Sequence, residues 1–258
     1  MEQKSEAWLR IRAGRITGSR FAKGMGSKRS DAYRRLIEEL VQERRTGRAR
    51  DGGYVNHAMQ WGMDHEDAAR RWYAGSRGCR VDQAAFVVHP DLDFVGVSPD
   101  GLVAHDGLIE IKCPQAHTFR QVFASEAMPP RYRWQVQGQL WVCRRQWLDF
   151  VCFYPPGRGI AIRIVGDQND FDQLETRCRE IHREVEQRVS NWRPAPVTAS
   201  QVDSTALAAS AARSSRPVAR LGSDHGATRS KGSESGLPNW AWTVIVVLLL
   251  IVLWNAFQ

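Results

Sequence analysis

The chain has 258 residues, 43% of them hydrophobic and 25% charged, with 36 Lys+Arg against 28 Asp+Glu and a formal net charge of +8. This is the balance of a globular protein with room for a sizeable core, and it excludes wholesale disorder or a fibrous chain. Residues 1–50 hold 14 Lys+Arg and 6 Asp+Glu while the remainder holds 22 of each, so the first fifth of the chain carries the whole excess. A concentrated basic segment points to a polyanion, nucleic acid or an anionic membrane, against the competing explanation of a solvated basic face.

The elements are predicted as follows. Ser5 caps a short helix through Trp8 and Leu9, Gly14 ends it, and Thr17 or Ser19 starts the next turn. Ser30 caps a helix over 31–45 with Tyr33, Leu36, Ile37, Leu40 and Val41 on one stripe. Residues 47–53 read as a loop. Residues 56–73 read as a helix with Met59, Met63 and Trp72 among its buried positions. The period then changes to two. Strands over 84–88, 94–97, 102–104 and 108–113 are separated by Pro-Asp, Pro-Asp-Gly and Asp-Gly turns. Helices over 116–125 and 131–144, strands over 147–154 and 160–165, and a helix over 168–190 complete the series. Helices around a central meander and late strands make an α/β or α+β domain with a mixed sheet.

Beyond Trp192 the pattern is lost. Residues 193–238 are rich in Ser, Ala, Arg, Pro and Gly without a sustained period, the composition of a flexible linker. Residues 240–257, WAWTVIVVLLLIVLWNAF, carry no charge. As a helix they would run roughly 27 Å, close to the hydrocarbon thickness of a bilayer. Trp240, Trp242 and Trp254 sit where interfacial aromatics belong, and Arg229 and Lys231 precede them. The expected organisation is one folded domain at 1–192, a linker at 193–238 and a single transmembrane helix at 239–258. The positive-inside rule then gives a cytoplasmic domain tethered to the membrane. The five cysteines are odd in number and contain no C-x-x-C pair, so neither a disulfide framework nor a zinc knuckle is expected. The first residues contain no apolar run that would read as a cleavable signal peptide.

The chemistry concentrates in the middle. In Leu108-Ile109-Glu110-Ile111-Lys112-Cys113, strand alternation sends Ile109 and Ile111 one way and Glu110 and Lys112 the other. Ser98-Pro99-Asp100-Gly101 lies ten residues upstream as a turn, so a hairpin brings Asp100 beside Glu110. Two carboxylates and an ammonium are thus expected on one open face, a hard oxygen donor set suited to Mg²⁺. Such a set can support phosphodiester hydrolysis by metal ions, with the lysine acting on the attacking water.

At this point the sequence resembles the PD-(D/E)xK nucleases, and among them the phage lambda exonuclease / YqaJ-type viral recombinase family. Four blocks carry the resemblance, from Trp8-x(3)-Arg12-x-Gly14-x-Ile16-Thr17-Gly18-Ser19 and Trp61-Gly62-x(3)-Glu66-x(3)-Arg70 onward. The third is Gly96-Val97-Ser98-Pro99-Asp100-Gly101 with Glu110-Ile111-Lys112-Cys113-Pro114. The fourth is Tyr132-x(2)-Gln135-Val136-Gln137-x(3)-Trp141 followed by Trp147-x-Asp149-Phe150.

The resemblance implies a restriction-endonuclease-like core with a central mixed sheet flanked by helices. It implies Asp100, Glu110 and the Ile111 carbonyl as metal ligands, Lys112 as the catalytic lysine and Glu66 as a helix-borne acid near a second metal. It implies a DNA 5′-phosphate pocket of Arg12, Ser19 and Ser98, and a glutamine motif at Gln135 and Gln137. Two residues apart on a helix do not share a face, so Gln137 is taken as the site residue and Gln135 as its support. The implied activity is Mg²⁺-dependent (Mn²⁺ also serving, with two ions) 5′→3′ exonuclease digestion of linear double-stranded DNA in recombination, repair or DNA degradation. A ring-shaped homotrimer and a single-strand-annealing protein partner are implied with it. The alternatives are a DNA endonuclease of the same fold in defence against foreign DNA, and a non-catalytic membrane-tethered DNA-binding protein. The last predicts degraded acids, whereas Glu66, Asp100, Glu110 and Lys112 are all present.

Overall fold

The computed structural model describes residues 5–49 and 57–192. The expected linker and membrane span lie outside these residues, and no described helix is long and apolar enough to cross a membrane.

Short capped helices build the N-terminal part. Helix α1 (Glu6–Arg12) starts at Ser5, whose hydroxyl accepts from the Trp8 N–H at 3.2 Å. The chain turns at Gly14, at φ +71, into strand β1 (Ile16–Thr17) and helix α2 (Gly18–Met25). Helix α3 (Asp31–Thr46) is capped by Ser30 and closed by Gly47 in the left-handed region. Helix α4 (His57–Arg77) runs one turn longer than expected. Its Met59 is 56% exposed rather than buried.

The strands divide into two sheets where the sequence suggested one. A three-stranded sheet places β1 parallel to β4 (Val95–Val97), which is antiparallel to β3 (Val87–Val88). A five-stranded mixed sheet has the order β2 (Val81–Asp82), β5 (Gly101–Val103), β6 (Gly107–Lys112), β7 (Trp147–Tyr154), β8 (Arg158–Val165). Only β6 and β7 are parallel within it. Their crossover carries helix α5 (Ala116–Ser125), a 3₁₀ turn (Pro130–Tyr132) and helix α6 (Arg133–Cys143). The final helix is α7 (Gln168–Ser190).

Three apolar clusters hold these layers. Helix α4 packs Ala69 and Tyr73 against Ile109, Ile111, Val151 and Phe153 on one face of the large sheet. Helices α5 and α6 pack Phe119, Val122, Val136 and Leu140 against Leu108, Leu148 and Phe150 on the other. Helices α2, α3 and α7 enclose the third cluster with the small sheet and the Trp141 end of α6. Helix α6 is therefore buried from Val136 to Val142, Gln137 and Gln139 included, as a helix enclosed by neighbours. An ion pair braces the sheet: fully buried Asp149 accepts from Tyr73 Oη and from Arg163 Nε of a half-exposed arginine, both at 2.7 Å.

Gly138 lets α2 and α6 meet, because a Cβ there would overlap the ring of buried Phe21. Gly138→Ala gains helix propensity of up to ~1 kcal/mol but overpacks the contact by ~1–3 kcal/mol. Urea unfolding is expected to show a net loss of about 1–2 kcal/mol.

Candidate active site

The β5–β6 hairpin supplies the first acid. Gly101 pairs with Ile109, so Asp100 lies opposite Glu110, and the Asp100 N–H donates to the Ile109 carbonyl at 3.2 Å. Its Oδ2 accepts the Ile111 N–H at 2.7 Å, which fixes the carboxylate at the mouth of the hairpin. Burial pushes the Asp100 carboxyl well above its usual range, with the negative charges of Glu110 and Glu66 adding and Lys112 opposing.

The second acid corrects the expectation of an open face. Alternation sends Glu110 away from Ile109 and Ile111 as predicted, but that face lies under α6 and Glu110 is 1% exposed. A buried carboxylate is tolerated only where donors meet it. Gln135 Nε2 donates to Glu110 Oε1 and Gln139 Nε2 to Oε2, each at 2.6 Å. Lys112 Nζ adds a charged donor to Oε1. Burial opposes the charge on Lys112, but Glu110 and Asp100 outweigh it and hold the lysine above its ordinary pKa. The Tyr132 ring lies 5.3 Å from its Nζ.

Helix α4 brings Glu66, whose Oε1 accepts from Arg70 at 2.7 Å. Arg70 Nε in turn donates to the Asp100 carbonyl at 3.1 Å, so one guanidinium ties the helix acid to the hairpin. Glu66, Ile111, Lys112, Met59, Met63 and Tyr132 line a cleft of about 520 Å³. Among the described residues no three acid, His or Cys side chains are gathered as a ready ion cage. The fit to a divalent cation is instead one of chemistry: oxygen donors, with a carboxyl at Asp100 raised by burial and by negative neighbours, the latter a repulsion that positive charge would relieve.

The expected phosphate residues gather at one end of the small sheet. The parallel register pairs Thr17 with Gly96, so Ser19 and Ser98, each two residues on, leave the same end of the small sheet. Ser98 Oγ accepts from Trp8 Nε1 at 3.1 Å, and the Arg12 guanidinium stacks on the Trp8 ring at 4.0 Å. Burial and the nearby Arg20 charge lower the Arg12 pKa to about 10, which still leaves it charged at neutral pH. Ser19 is exposed in the first turn of α2.

Other placements differ from expectation. Gln137 faces away from the acids: its Nε2 donates to the Val165 carbonyl at 3.0 Å and its Oε1 accepts the Asp167 N–H at 2.9 Å. It joins β8 to α7, and the glutamines on Glu110 are Gln135 and Gln139. Their i,i+4 spacing is the sequence signal that puts them on one face of the helix. The N-terminal arginines are also partly committed internally. Arg20 forms a two-pronged pair with buried Glu43, which also accepts the Gly14 N–H at 3.0 Å. Arg15 donates to the Asp93 carbonyl at 2.7 Å, and Lys28 pairs with Glu180 at 3.0 Å. Trp8 is half-buried between Ser98 and Arg12, and His89 is buried against Trp141.

The YqaJ-like viral recombinase domain profile matches residues 7–146, which includes both groups of residues. The chain belongs to this family. Two crystal structures of LHK-Exo, an alkaline exonuclease from Laribacter hongkongensis, are similar to the YqaJ-like chain. The first is 30% identical at a TM-score of 0.66, covering 82% of this chain and 100% of that one. The second, in complex with dAMP, is 32% identical at a TM-score of 0.67, covering 72% and 95%. A phage-related exonuclease from Haemophilus somnus 129PT, 17% identical at a TM-score of 0.55 over 68% and 95%, shares the fold. No curated protein matches.

The raised Asp100 carboxyl has a consequence for stability. Its folded pKa exceeds the unfolded value of 3.8, so the folded state binds more protons and metal-free stability falls as pH rises above that value. In chelator, Asp100→Asn is expected to melt above wild type at pH 8, with the gap closing as the pH is lowered towards the unfolded value. Differential scanning calorimetry measures both trends.

Proposed function

We propose that this YqaJ-like chain is a metal-dependent deoxyribonuclease that digests linear double-stranded DNA from its 5′ ends. One observation carries the reading: Asp100 and Glu110 are bonded to Ile111 and Lys112, which line a cleft with Glu66, and Ser98, two residues before Asp100, belongs to the Trp8–Arg12 group. Acids suited to a cation and a cationic grip suited to a phosphate thus share one short stretch of chain. The exonuclease activity of its relative LHK-Exo supports the same class of reaction.

Glu66, Asp100, Glu110 and the Ile111 carbonyl are the groups that would hold Mg²⁺ or Mn²⁺. Bound there, the cation supplies stabilisation of the attacking and leaving oxygens of a phosphodiester. Lys112, kept protonated by Glu110 and Asp100, places a positive charge where negative charge develops on the phosphate and orients the attacking water. Arg12 and the Ser98 and Ser19 hydroxyls hold the terminal 5′-phosphate and set which bond reaches the acids. Arg70 holds Glu66 towards the cleft, whose lining also includes Met59 and Met63.

Incubating the protein with Mg²⁺ and 5′-phosphorylated linear duplex, unphosphorylated duplex or closed circular DNA tests this. Loss of linear DNA with the circle intact is expected, and Lys112→Ala is expected to lower the rate by about 10²–10⁴-fold. Arg12→Ala is expected to abolish the preference for a phosphorylated end while leaving the fold intact. Equal rates for wild type and Lys112→Ala would end the nuclease reading, and a cut circle would make the enzyme an endonuclease.

The sequence of residues 240–257 supports a further element of the reading, a membrane tether for the nuclease domain. The full chain is expected in the membrane fraction and a chain ending at residue 192 in the supernatant. Both in the supernatant would remove the tether.

A further inference from the structure

Helix α6 presents two amides to one carboxylate, and the second of them has no role yet assigned. Gln135 and Gln139 lie one turn apart on the same face, and each gives its Nε2 to a different oxygen of Glu110 at 2.6 Å. Oε1 receives Lys112 Nζ as well, whereas Gln139 supplies the donor to Oε2. The terminal torsion of a glutamate is broad, so one anchored oxygen leaves the carboxylate plane free to turn, and two anchored oxygens fix it.

Gln139 itself is 1% exposed, and its own Oε1 is buried without a hydrogen-bond partner. A methionine or leucine would fill that space without burying an unsatisfied carbonyl. An amide at this point therefore works against the packing around it, and its one visible return is the bond to Glu110.

We propose that Gln139 is a positioning residue that fixes the charge and plane in which Glu110 meets a divalent cation. This rests on the nuclease reading above. Gln139 does not line the cleft, so it acts on the reaction only through Glu110. Gln135 shares its oxygen with Lys112 and is the more replaceable of the two.

Titration calorimetry of the full chain in detergent with Mg²⁺, without DNA, reads the effect directly. Gln139→Met is expected to weaken Mg²⁺ binding by about 10–100-fold, as loss of a ligand's outer partner does, and Gln135→Met by less. In the nuclease assay Gln139→Met is expected to lower kcat and raise the Mg²⁺ needed for half-maximal rate. KM for DNA should hold, because the Trp8–Arg12–Ser98 group is untouched. Gln139→Leu serves in the same series should the methionine variant not fold, as read by far-ultraviolet circular dichroism.

Mg²⁺ affinity and kcat equal to wild type in a folded variant would overturn the inference, as would a lowered melting temperature with both values unchanged. The two readings separate cleanly. Wild type that binds Mg²⁺ but never cleaves DNA defeats the nuclease reading, while the titration still judges the role of Gln139. Wild type that cleaves, with Gln139→Met matching its Mg²⁺ affinity, defeats the positioning role alone.

Discussion

A charged carboxylate sealed beneath a helix has to be met by donors, and Glu110 is the group around which this fold is arranged. Its two oxygens take amides from Gln135 and Gln139 and the ammonium of Lys112. The groups gathered here come from separate geometrical rules. The amides come from one turn of α6, the ammonium from alternation along β6, and the neighbouring Asp100 from the hairpin register. If α6 slid or turned, Glu110 would be left buried with its charge uncompensated. The close approach of α2 at Gly138 and the bonds of Gln137 at the start of α7 hold α6 against that movement.

The same arrangement separates two tasks over a short distance. Acids concentrate where β5 and β6 meet α4, and burial together with the neighbouring negative charges raises the Asp100 carboxyl. Cationic and hydroxyl groups concentrate at the end of the small sheet, where Trp8 supports both Arg12 and Ser98. The Ser98-Pro99-Asp100 segment joins the two, so one hydroxyl of the cationic group and one of the acids lie two residues apart in the chain.

Much of this was legible in the sequence. The Pro-Asp-Gly turn and the alternation after it placed Asp100 opposite Glu110, and the capping serines located α1 and α3. What was not legible depends on neighbours distant in the chain. Alternation tells which residues share a face but not what covers it, so Glu110 read as open and is buried. Helical spacing separates Gln137 from Gln135 but does not say which of them looks at the sheet. Met59 fits an apolar stripe, yet it stands at the cleft rim with over half its surface exposed. The split into two sheets follows from the parallel pairing of β1 with β4, a contact across nearly eighty residues that no local pattern announces.

The first fifth of the chain looked like a reservoir of positive charge, and the structure shows how much of it is already engaged. Arg20 is matched by Glu43, Arg34 by Asp31, Arg44 by Glu186 and Lys28 by Glu180, while Arg15 is turned onto main-chain carbonyls. A polyanion is accompanied by condensed counterions, and each cation that meets a phosphate releases about 0.9 of one from duplex DNA. Charges already matched within the protein release few. On the nuclease reading proposed above, the affinity of this domain for a duplex would therefore weaken with added salt less steeply than its composition suggests.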